Sequence, residues 1–108
     1  MRVRRSEWFQ AELTTELEGD GRPTIDHFET QLGHAVELTF EHFWDDPSKV
    51  VPLDDVPGVR TVQTISPAPH MFPPGVFYAR LVDDNTIELI GVEFDWDYWQ
   101  LIDDDPDH

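Results

Sequence analysis

Residues 25–43 read IDHFETQLGHAVELTFEHF, and the conformation of this stretch decides the fold. Ile25, Phe28, Leu32, Ala35, Val36, Phe40 and Phe43 fall on one side of a helical wheel, while Asp26, Glu29, Thr30, Glu37 and Glu41 fall on the other. Only Leu38 is out of place. After Gly33 the order Val36-Glu37-Leu38-Thr39-Phe40-Glu41 also alternates strictly, as a half-buried strand would. The helical stripe persists for about five turns, so a helix is the expectation. Asp45-Asp46-Pro47-Ser48 stops the element in either case.

Upstream, Arg2 to Arg5 is short enough for an edge strand. Ser6 is placed to cap a helix, with Glu7 in the first turn. Phe9, Leu13 and Leu17 repeat at helical spacing, and Gly19-Asp20-Gly21 ends that helix. Downstream, Lys49 to Pro57 reads as a loop and Gly58 to Ile65 as a strand of alternating β-branched residues. Pro67, Pro69, Pro73 and Pro74 make a stretch too proline-rich for a ladder. Val76 to Val82 and Thr86 to about Trp99 form a hairpin about the Asp83-Asp84-Asn85 turn, with a bulge expected at Gly91. The expected fold is α+β, in the order β-α-α-β-β-β: two helices packed on an antiparallel sheet of three or four strands. One domain covers 1–102, and 103–108 form an acidic tail.

The charge narrows the choice of partner. Fourteen Asp and nine Glu face six Arg and one Lys, a net −16 on 108 residues. Such a surface repels phosphate backbones and anionic membranes and attracts basic proteins. Salt adaptation also produces acidic surfaces of this kind. No apolar run approaches the ~20 residues of a membrane helix. Arg2, Arg4 and Arg5 are not followed by the apolar stretch of a secretory signal, and cysteine is absent, so the expected location is the cytoplasm.

The element order resembles the RelE/ParE superfamily of toxins from toxin–antitoxin pairs. Three stretches add to the resemblance. Phe43 to Leu53 is similar to the family's connection into the sheet, Gly58-Val59-Arg60 to its Gly-x-Arg, and residues 77–92, FYARLVDDNTIELIGV, to its last hairpin. In ribonucleolytic members basic sheet residues hold messenger RNA, often with a Tyr or His near the C-terminus. The resemblance therefore implies Arg60, Arg80 and Tyr98 as catalytic residues and an antitoxin as partner. The chain departs from the family where many relatives carry His and Arg, because it reads Phe94-Asp95-Trp96-Asp97 there. A phosphate at ~6 Å from each carboxylate, at an effective dielectric near ~20, would meet roughly 3 kcal/mol of repulsion from each.

The remaining constellations offer less chemistry. Arg60 and Arg80 would hold a phosphate together only if the strand register puts them on one face. Each otherwise meets one of the many acids. His27 and His34 stand too far apart for one metal, and the Glu-x-x-His and His-Glu-x-x-His patterns are absent. His34 and Glu37 could share an ion, and His70 could act as a base. His108 is terminal. Asp95 and Asp97, two apart on the last strand, share one face, making with Trp99 a surface for a basic partner. The Ca²⁺-loop pattern fails from Asp95, since Gln100 and Pro106 occupy its Gly and Glu positions. No cofactor motif or metal site is expected.

Three functions stay open on these grounds. One is a RelE/ParE-like protein, with or without a surviving ribonuclease site, acting through protein binding. The second is an acidic protein-binding module or nucleic-acid mimic. The third is a protein of a halophile with an unrecognised site.

Overall fold

A computed structural model describes residues 1–64 and 72–98 of the chain. Pro67, Pro69, His70, Trp99 and the acidic tail through His108 lie outside the described residues.

The N-terminal strand β1 (Arg2–Arg5) leads directly into helix α1 (Glu7–Glu16). Ser6 caps this helix: its Oγ accepts the Phe9 N–H at 3.0 Å. Phe9 and Leu13 are fully buried, and Leu17 packs against the core from the helix end. Each side chain so buried contributes about 1.5–3 kcal/mol.

The second helix runs as α2 (Ile25–Phe28), a π-helical turn (Glu29–Gly33) and α3 (His34–Phe43). Thr24 caps it, accepting the His27 N–H at 3.2 Å. Val36 to Glu41 is therefore helical, and the alternating strand reading fails. The buried side chains are Phe28, Leu32, Val36, Phe40 and Trp44, a strict spacing of four. In a regular α-helix that spacing drifts by about 40° per step, or about 160° from first to last. The extra residue of the π-turn takes back about 100° and returns the stripe to one side. At the helix end Trp44 is 4% exposed while Phe43, expected on the apolar face, is 39% exposed.

The chain then forms β2 (Val51–Pro52), β3 (Val59–Thr64), β4 (Gly75–Asp83) and β5 (Thr86–Phe94). The sheet order is β1-β5-β4-β3-β2. Its α+β class matches the expectation, with two corrections. There are five strands, because Val51–Pro52 in the expected loop pairs with Arg60 and Thr61. The sheet is also mixed, since β1 pairs parallel to β5 while the other pairs are antiparallel. The helices carry the chain away from β1, and the last hairpin returns beside it.

A bulge in β5 sets the two faces of the sheet. Tyr78 pairs with Gly91 and Ala79 with Leu89, so Ile90 is the extra residue, one position before the glycine expected there. The inserted residue shifts the alternation, so that Ile87 and Leu89 before it and Val92 and Phe94 after it all face the helices and are buried. Opposite them, Phe77 and Ala79 of β4 and Val62 of β3 complete the core. Phe9, Phe28, Phe72, Phe77 and Phe94 cluster there at centroid distances of 5.8–6.3 Å, mostly tilted or edge-to-face.

Beyond β1, the open edge of β5 is covered by side chains of α1. The Val92 N–H donates to Glu12 Oε2 at 2.9 Å and the Phe94 N–H to Glu16 Oε1 at 3.3 Å. The Trp96 indole donates to the other Glu16 oxygen at 2.7 Å. Two glutamates thus stand in for a missing strand and blunt an edge that would otherwise offer free donors.

Candidate functional site

The β3–β4 register separates the two sheet arginines. Arg60 pairs with Ala79, which is buried beneath the helices, so Arg60 lies on the helix side. Arg80 is the next residue along β4 and points to the opposite, outer face. The Arg60 guanidinium sits 4.6 Å from the Trp44 ring centroid and donates to the Trp44 carbonyl and, at 3.1 Å, to Asp45 Oδ1. It ties the end of α3 to β3. Arg80 donates to Glu88 Oε1 at 3.1 Å. The two arginines cannot grip one phosphate.

Tyr98 does not join either of them. β5 ends at Phe94, which pairs with Gly75, and Gly75 lies five residues along β4 from Arg80, about 17 Å. The expected strand through to Trp99 is corrected here. The Asp95 N–H donates to the Pro74 carbonyl at 2.9 Å, and the Tyr98 N–H to the Asp95 carbonyl at 3.1 Å, which closes a turn. Trp96 is drawn inward by Glu16 and lies under the Arg22 guanidinium, 4.3 Å from its ring centroid. Asp95 and Asp97 are exposed on this turn and form no strand comb. Trp99 lies outside the described residues.

The structure does assemble a constellation on the outer face. Across β1, β5 and β4, Arg4 is opposite Glu88, and Glu88 is opposite Arg80. Arg4 Nε donates to Glu88 Oε2 at 3.0 Å, while Arg80 Nη2 donates to Glu88 Oε1 at 3.1 Å. The Glu88 side chain is 12% exposed and its two partners are 60% and 56% exposed. One carboxylate therefore holds two guanidiniums side by side at the surface. Arg2, two residues before Arg4, projects on the same face. Beside the row lies a cavity of about 600 Å³ bordered by Ser6, Trp8, Arg80, Glu88 and Ile90. Trp8 is 78% exposed.

The rim of this face is acidic. Asp83 is held below the usual carboxylate range by the Asn85 backbone N–H, by bonds from Thr86 and, least, by the charge of Arg4. Further along, the Tyr78 hydroxyl donates to Glu93 Oε2 at 3.4 Å. Burial first, then the Glu93 charge and hydrogen bond, push the Tyr78 phenol above its ordinary value.

Sequence reasoning missed this row because its members come from three strands. The alternation of Arg2, Val3 and Arg4 does put both arginines on one face of an extended strand. What the sequence lacks is the β1–β5 register that brings Glu88 between Arg4 and Arg80. Among the described residues no group of three or more His, Asp or Glu side chains is placed to hold a metal ion. No described helix is long and apolar enough to cross a membrane. Comparison with known proteins returns no match: no family model fits the chain, and neither a curated protein nor a solved structure is significantly similar to it.

Proposed function

We propose that this chain is a RelE/ParE-like protein of the cytoplasm that acts by binding a protein partner of the antitoxin kind, without ribonuclease chemistry of its own. The observation that carries this reading is the separation of Arg60 and Arg80 onto opposite faces, each against a carboxylate. A phosphoryl-transfer site needs its donors to converge where charge develops. With β5 ending about 17 Å along the sheet from Arg80 and Tyr98 lying beyond that end, the three residues implied by the resemblance supply no such point. The net charge of −16 adds long-range repulsion against RNA.

Induction in a bacterial host tests the reading, with wild type beside the Arg60→Ala, Arg80→Ala double variant. Both cultures are expected to grow alike, and primer extension on abundant messages should reveal no new cleavage. Growth arrest with message cleavage, lost in the double variant, would establish the nuclease instead.

A further inference from the structure

The Arg4–Glu88–Arg80 row has unspent binding capacity. A guanidinium carries five N–H donors, and in each of these two only one is engaged among the described residues. The shared carboxylate fixes both groups in place, so little freedom remains to be lost when a ligand arrives. Beside them stands Trp8, exposed and bordering the cavity with Ile90. Tryptophan and arginine are the residue types that dominate protein interfaces. We propose that this outer sheet face is the docking surface for an acidic peptide segment of a partner protein. A partner carboxylate is received by Arg4 and Arg80, and an apolar partner side chain lies on Trp8 and Ile90.

The local excess of guanidinium over carboxylate at the row selects this occupant, against the −16 of the whole chain. The row spans two inter-strand steps, about 10 Å, enough for one or two carboxylates. Beyond it stand Glu7 at the cavity, Asp83 at the end of β4 and Glu93 further along β5. A nucleic-acid strand would carry consecutive phosphates onto those acids. A peptide can put its carboxylates on the arginines and neutral residues elsewhere. A second copy of this chain would add another −16 of repulsion.

The inference rests on the protein-binding reading and names its surface. The probe is a phage-displayed library of random short peptides selected on the full chain, with oligouridine RNA as competitor. Selected peptides are expected to be rich in Asp or Glu next to Leu or an aromatic residue. They should bind the Arg4→Gln, Arg80→Gln double variant about tenfold more weakly. Trp8→Ala should weaken them by a similar factor, with its helix content and melting temperature confirming the fold. Peptides without acid enrichment, equal binding to the arginine variant, or displacement by oligouridine in preference to peptide would each overturn the proposal. Growth arrest through Arg80 would overturn the functional reading while leaving a positive peptide result intact, so the two failures are distinguishable.

Discussion

Arg5 and Gly33 meet where β1 passes beneath the π-turn of the second helix. A Cβ added at Gly33 would lie 3.0 Å from Arg5 Nη2, 3.0 Å from Glu29 Oε1 and 3.1 Å from a Phe28 ring carbon. The guanidinium fits there because glycine leaves the space. It donates to Glu29 at 2.7 Å through Nη1 and to Glu37 at 2.7 Å through Nε, with the Phe9 and Phe28 rings at 5.7 and 5.9 Å. Burial alone would lower the Arg5 pKa, but the bonds and charges of Glu29 and Glu37 outweigh it and hold the group above its ordinary value. One arginine thereby joins the first strand to the start of the π-turn and to α3.

Gly33→Ala tests this packing. Alanine gains about 1 kcal/mol of helix propensity. Crowding against a pinned guanidinium and a fully buried ring costs about 1–3 kcal/mol, so the net effect is destabilisation by about 1 kcal/mol. Urea denaturation would detect it, and a more stable variant would show that the Arg5 pocket is loose.

Glu12→Ala removes the acceptor of the Val92 N–H and exposes that donor on the β5 edge. The expected loss is about 1 kcal/mol, with faster amide exchange at Val92 and more association at high concentration. Phe94, held by Glu16, should keep its protection. Unchanged exchange at Val92 would mean that Glu12 is not the edge guard.

Tyr78 should titrate above its ordinary value of 10.0. A raised folded value means that the phenol's contribution to stability is complete below 10.0 and is lost as pH rises through the folded value. Ultraviolet titration of a Tyr98→Phe background isolates Tyr78. Glu93→Gln should bring its transition down toward the ordinary value, leaving the part due to burial. A Tyr78 midpoint at or below the ordinary value would contradict the placement beside Glu93.

Salt should stabilise the chain. With a net −16, self-repulsion opposes the compact state. Raising ionic strength from ~0.01 M to ~1 M shortens the screening length from ~30 Å to ~3 Å, and the melting temperature should rise over that range. A flat or falling melting temperature would mean that ion pairs such as Arg5–Glu37 and Arg4–Glu88 outweigh the repulsion.

The sequence by itself determined the local elements. Ser6 announces a helix start because a capping oxygen acts within three residues, and the Asp83-Asp84-Asn85 turn closes locally, the Asn85 N–H donating to Asp83 Oδ1. The tertiary structure alone decided how these elements are phased and paired. The π-turn at Glu29–Gly33 inserts a residue that periodicity does not reveal, and the bulge that the glycine announces at Gly91 falls one residue earlier, at Ile90, where it re-aims β5. Arg4 and Glu88 lie 84 positions apart, and Arg60 and Arg80 diverge, because register is set by long-range packing of the core against the sheet.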